Sequence, residues 1–153
     1  MKTTLAIALA VALTMGVSSA AQAQGRSYLG PQLGYNFDYQ AMVVGAQFSA
    51  PLGQHLEIYP SFNYYFVNPS TVWGVNLDLK YRLPMQRADW LYLGGGLNVT
   101  RSNSTTNARV NLIAGAESRR GTVHPFGEFR LTAGNGSTIQ LVGGLNFMLS
   151  GGQ

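Results

Sequence analysis

From Tyr28 to Leu149 the chain alternates. Apolar side chains recur at every second position in one segment after another, the period of a β-strand with two unlike faces, and nothing beyond the N-terminal 23 residues sustains a helical period. In Val72 to Leu83, Trp73, Val75, Leu77, Leu79, Tyr81 and Leu83 share one parity, while Gly74, Asn76, Asp78, Lys80 and Arg82 share the other. Comparable segments run Tyr28 to Phe37, Gln40 to Ala50, His55 to Phe66, Trp90 to Thr100, Arg109 to Ser118, Thr122 to Leu131 and Thr138 to Leu149. Turn formers separate them, in "PLGQ", "VNPST", "LPMQRAD", "RSNSTTNA", "RRG" and "TAGNGS". Connections this short make consecutive strands antiparallel neighbours, so the prediction is an all-β, eight-stranded up-and-down meander.

Alternation leaves open which face is inside. A soluble ligand-binding barrel buries its apolar face, whereas a membrane barrel turns that face to lipid. Two features of the pattern favour the membrane. Gly30, Gly34, Gly45, Gly74, Gly94, Gly96, Gly115 and Gly144 all share the polar face, where a narrow lumen needs small residues beside long charged ones. On the apolar face, Tyr35, Phe37, Tyr64, Phe66, Trp73 and Phe129 are predicted near one rim and Phe48, Tyr81 and Phe147 near the other, two aromatic girdles around an aliphatic band.

The N-terminus and the composition agree. Lys2, an apolar run from Leu5 to Val17, and Ala21-Gln22-Ala23 form a cleavable signal peptide, predicted as residues 1–23, with the barrel domain spanning 24–153. The run is too short and too broken to span a bilayer, which takes ~20 residues. Charged residues make up only 10% of the chain, against ~25% in soluble domains. Cysteine is absent, consistent with an exported protein that does not rely on disulfides. The basic residues form no run, so no nucleic-acid partner is expected.

Candidate chemistry lies on the polar face. Glu57, Asp78, Lys80, Arg82, Glu117, Arg119, His124, Glu128 and Arg130 are predicted to gather in the lumen and pair, because an unpaired buried charge costs several kcal/mol. Levelling the girdles sets Phe66 opposite Trp73, and so Glu57 opposite Arg82, Tyr59 opposite Lys80 and Ser61 opposite Asp78. Tyr92 then lies between Lys80 and Glu117, with Glu117 facing His124. The expected result is a plug of ion pairs; a narrow channel for small solutes or ions is the alternative. Two histidines without cysteine offer no metal-ligand spacing, and no cofactor is expected. His124, Glu117 and Ser118 have no spacing that specifies a hydrolytic triad, so no catalytic residue is assigned. "LGGGLN", Leu93 to Asn98, lies within a strand and is not a phosphate loop. Thr100 to Arg109 reads as the longest outer loop, with Arg101 and Arg109 as candidate contacts to lipopolysaccharide phosphates.

The opening "YLGPQLGYNF", the spacing of eight strands and the closing "LVGGLNFML" resemble the small bacterial outer-membrane β-barrels of the porin-family or OmpX-like type, and the OmpA transmembrane domain. The resemblance implies an eight-stranded transmembrane barrel in the Gram-negative outer membrane, both termini periplasmic, expected to be monomeric and surrounded by outer-membrane lipid. It also implies that the last strand engages the barrel-assembly machinery. Gly144, Phe147 and Leu149 match that family signal, whereas Val142 stands at its polar position, and "SGGQ" follows Leu149. Some such barrels modify lipids through His and Ser at the outer rim, where this chain has no histidine.

Overall fold

The computed structural model describes residues 26–85 and 89–149. The segment expected to be a signal peptide, residues 1–23, lies outside them, as do residues 150–153. Eight strands follow one another: β1 (Tyr28–Asn36), β2 (Ala41–Pro51), β3 (Leu56–Phe66), β4 (Thr71–Arg82), β5 (Leu91–Ser102), β6 (Thr105–Glu117), β7 (Val123–Ala133) and β8 (Thr138–Met148). Each pairs antiparallel with the next, and β8 closes on β1, with Leu29 opposite Phe147 and Asn36 opposite Gln140. Closure leaves no strand edge unpaired, which matters wherever hydrocarbon would leave a free backbone group without a partner. A strand of 11 residues tilted by about 40° rises roughly 28 Å, enough for a hydrocarbon band about 25 Å tall.

The polarity is inverted relative to a soluble protein. Leu97 is 61% exposed and Leu112 56%, whereas Asp78 and Lys80 are both 0% exposed. The apolar parity of every strand faces outward and the polar parity fills the interior. This rejects the soluble-barrel alternative on energetic grounds. Exposing that belt to water while burying four carboxylates would invert the preferences that drive folding.

Two details of the sequence reading are corrected. Phe66 pairs with Thr71, not Trp73, so Glu57 lies opposite Lys80, Tyr59 opposite Asp78 and Ser61 opposite Asn76. Rims are level in the membrane but not along the ladder. Following the register around the wall advances it by about ten residues, the stagger that tilts the strands, so the short 67–70 connection sets this hairpin and not the height of its aromatics. The second correction concerns Thr100 to Arg109, which is no loop. β5 and β6 continue as a hairpin turning at Asn103, which adopts φ 50°, a left-handed conformation that asparagine tolerates better than most residues. Threonine's β-branching favours the strand that its polarity disguised.

The end of the barrel opposite the termini is therefore low. Its connections are 37–40, 67–70, 103–104 and 134–137, none longer than four residues. Longer connections, 83–90 and 118–122, lie at the end that carries the termini.

Candidate functional site

The interior is layered from the termini upward. At the bottom, Arg82 bridges two carboxylates: its Nε donates to Glu57 Oε1 at 2.6 Å, and its Nη2 donates to Glu57 Oε2 at 3.1 Å and to Glu117 Oε2 at 2.8 Å. Ser49 Oγ donates to Glu57 Oε2 at 2.7 Å, and Asn146 Nδ2 to Glu117 Oε1 at 3.0 Å. His124 Nδ1 lies 3.5 Å from Glu117 Oε1, and its Nε2 is 3.2 Å from the Gly121 carbonyl. Arg119 is the loose member, 3.9 Å from Glu57, with its side chain 42% exposed.

Above this layer sits a lysine held by rings rather than by a carboxylate. Lys80 Nζ lies 3.5 Å from the Tyr59 ring centroid, 4.4 Å from Tyr92 and 5.7 Å from Phe126, and makes no hydrogen bond. Each aromatic face offers a desolvated ammonium partial negative charge. Tyr92 donates through its hydroxyl to Glu128 Oε2 at 2.9 Å, Glu128 Oε1 accepts from Arg130 Nη2 at 2.8 Å, and Arg130 Nη1 reaches Asp78 Oδ2 at 3.1 Å. Glycine makes this layer fit. A Cβ on Gly115 would collide with the Tyr92 ring, and one on Gly144 would lie 2.6 Å from Phe126 Cε1.

The third layer is built of amides and hydroxyls. Asn76 Oδ1 accepts from Asn98 at 2.7 Å and from Asn111 at 2.9 Å; Asn76 donates to Ser61 Oγ at 3.0 Å, and Thr132 Oγ1 to Asn111 Oδ1 at 2.8 Å. An apolar cluster of Val43, Tyr65 and Val72 closes the far end, with Tyr39 and Val67 packed against it. Arg109 belongs here: it is buried and donates from Nη2 to the Tyr39 hydroxyl at 3.2 Å.

The expected charge cluster is thus assembled, and its internal pairing is partly redrawn. Arg82 reaches Glu57 and Glu117; Glu117 stands opposite Phe126 in the ladder, not His124, although the His124 side chain comes within 3.5 Å of it. Glu57 stands opposite Lys80 in the ladder, yet the longer Arg82 takes it, leaving Lys80 to the aromatic cage. Among the described residues, four buried carboxylates, Glu57, Asp78, Glu117 and Glu128, are matched in number by four buried cations, Lys80, Arg82, Arg109 and Arg130, with the half-exposed Arg119 at the mouth. The reading of Arg109 as an outer-loop contact is corrected, because the hairpin turns its parity inward. Arg101 faces outward, opposite Trp73 in the ladder. Phe126 and the asparagine layer were not singled out from sequence; the facing glycines were the available signal, since small lumen residues imply large neighbours.

The girdle residues all lie on the outward parity. Tyr35, Phe37, Phe66, Tyr81, Phe129 and Phe147 are exposed, and Phe48, Tyr64 and Trp73 are partly so. Trp73 stacks on Phe62 with centroids 6.2 Å apart, while Tyr64 meets Phe66 edge-on at 5.3 Å. Phe129 is further from its rim than expected, opposite Ala114 and Leu141 and four positions before the end of β7. Val142, at the polar position of the assembly signal, is buried in the lumen wall. Ser118 is exposed beyond β6 whereas His124 is buried, so the two do not form a nucleophile and base pair.

No family model matches the sequence, and no curated protein sequence matches it. Solved structures do match. The N-terminal β-barrel domain of Pseudomonas aeruginosa OprF is similar with a TM-score of 0.70 and 15% identity, over 82% of this chain and 98% of that one. A de novo designed transmembrane β-barrel gives 0.59 and 14%, over 84% and 98% respectively. Neisserial surface protein A gives 0.59 and 11%, over 81% and 95%. Identities this low establish the fold, a closed eight-stranded barrel of the kind found in small outer-membrane proteins.

Proposed function

We propose that the protein is an integral outer-membrane barrel with a mainly structural or surface role, its termini periplasmic and its lumen closed. The observation that carries the reading is the inverted polarity: an exterior apolar over its central band, around an interior whose charges are buried and largely paired. A designed transmembrane barrel shares the fold, so the fold by itself assigns no activity, and function must be argued from sites. Here the interior is occupied by its own side chains. The short connections at the end opposite the termini offer little surface for an adhesive protein contact, which favours a role in the membrane itself.

Its partners follow from the same placement. Outer-membrane lipid covers the belt, Arg101 beside Trp73 lies at the level where lipopolysaccharide phosphates begin, and β8, which closes against β1, is the strand offered to the assembly machinery. The barrel is expected to be a monomer and to have no lipid-modifying activity, which an unchanged lipid A mass spectrum on overexpression tests. Two measurements test the main reading. Protein that stays with membranes through a carbonate wash and shifts in electrophoretic mobility on heating supports it, and extraction by the wash contradicts it. In planar bilayers, silence from both the wild type and Arg82→Ala supports a closed plug; wild-type conductance would replace it with the narrow channel.

A further inference from the structure

A cleft of about 600 Å³ lies on the wall at the end carrying the termini. Ala116 of β6 and Gly127 of β7, opposite each other on the outward parity, line it with Pro125 and Phe126, and Gly143 of β8 stands beside Gly127 on the same outward face. A Cβ added at Gly127 would meet no atom within 4 Å. The row interrupts a wall otherwise studded with leucine and phenylalanine, and so leaves a furrow open to hydrocarbon.

The upper and lower parts of the cleft differ in chemistry. At the rim, Arg119, Arg120, Asp89 and Trp90 line it beside the furrow. Glu117 also contributes to the lining, but Arg82 already holds its carboxylate at 2.8 Å. Among the described residues, the rim of the cleft therefore carries two guanidiniums and one exposed carboxylate, Asp89. Arg119 leans toward Glu57 at 3.9 Å, whereas Arg120 is exposed and has no ion pair among the described residues. Trp90 is 45% exposed, in the position an indole takes at the boundary between headgroups and acyl chains. A guanidinium offers a phosphate paired donors, and the furrow below accepts methylenes where the leucine-lined wall would exclude them.

We infer that this cleft is a binding site for one anionic diacyl phospholipid, its phosphodiester on Arg120 and its acyl chain along Ala116 and Gly127. The inference rests on the membrane reading above and adds a specific headgroup charge and a location. With the termini periplasmic, the lipid belongs to the inner leaflet of the outer membrane.

The test uses the full-length mature protein in vesicles of phosphatidylethanolamine and phosphatidylglycerol, extracted in mild detergent, with retained lipid counted by native mass spectrometry. One phosphatidylglycerol per barrel should be retained about tenfold over phosphatidylethanolamine, whose phosphodiester is the same but whose ammonium is repelled by the two guanidiniums. Arg120→Ala should abolish the preference, and Gly127→Leu should remove the bound lipid by filling the furrow. An excess of glycerol phosphate should not displace the lipid, because the acyl chain contributes. Equal retention of the two lipids, a preference that survives Arg120→Ala, or displacement by the free headgroup would overturn the site. If Gly127→Leu does not fold, Arg120→Ala alone decides. The heat-dependent gel shift of the same samples reports the barrel separately, so an intact shift with no lipid preference refutes the site and leaves the membrane reading standing.

Discussion

Replacing Arg82 with methionine would keep most of its volume and remove its charge. The guanidinium holds Glu57 and Glu117 through three hydrogen bonds of 2.6 to 3.1 Å, and all three side chains are at most 7% exposed. Afterwards Glu57 would keep Ser49 and the distant Arg119, and Glu117 would keep Asn146 and His124. Breaking a buried pair by removing one partner costs about 3–5 kcal/mol, chiefly because the stranded charge stays out of water. Arg119 supplies the control. It approaches the same Glu57 from 3.9 Å while 42% exposed, a geometry worth at most about 1 kcal/mol. Urea unfolding in phospholipid vesicles, followed by the fluorescence of Trp73 and Trp90, measures both variants. With an m-value of about 2 kcal/mol/M, Arg82→Met lowers the midpoint by roughly 1.5–2.5 M and Arg119→Met by less than about 0.5 M. Adding Glu57→Gln to Arg82→Met should recover part of the loss, since it removes one stranded charge. Equal effects of the two arginine variants, or a further loss in the double variant, would refute the account of Arg82 as the bridge.

Other consequences follow from particular contacts. Gly30→Ala places a Cβ against the Leu145 carbonyl of β8, so it should abolish the heat-shifted gel band, whereas Gly53→Ala, with no atom within 4 Å, should leave the band unchanged. Lys80→Met should cost about 2 kcal/mol or less in the urea assay, clearly below Arg82→Met, because it gives up ring contacts and no hydrogen bond. Asn103→Val should lower stability by roughly 1–2 kcal/mol in that assay and Asn103→Gly should be near neutral, because φ 50° suits glycine and strains a β-branched residue.

Strand number, antiparallel order and the sidedness of each strand were legible in the sequence, because each strand is amphipathic at period 2 and only one parity can meet hydrocarbon. Register was not. A two-residue slip keeps every side chain on its own face, so the hydrophobic pattern cannot distinguish Phe66 opposite Thr71 from Phe66 opposite Trp73. The β5–β6 hairpin was hidden for a related reason. Its tip, from Thr100 to Arg109, is polar on both faces, and period-2 contrast fades where a strand rises out of the apolar band. Within the lumen, charge signs predicted pairing, but reach decided it: Arg82 spans to Glu57 across the offset, and Lys80 stays among Tyr59, Tyr92 and Phe126. The room for those rings was encoded at Gly115 and Gly144, on strands that neither Tyr59 nor Lys80 occupies.

The central claim is that the apolar parity meets lipid and the polar parity fills the lumen. The chain has no cysteine, so single cysteines carrying a nitroxide can be placed at Leu77, Leu97 and Leu112 on the outward wall and at Gly53 in the 52–55 connection. In reconstituted vesicles the three wall positions should relax strongly with oxygen, which concentrates in hydrocarbon, and weakly with a water-soluble nickel chelate; Gly53 should show the reverse. Wall labels more accessible to the chelate than to oxygen would contradict the account.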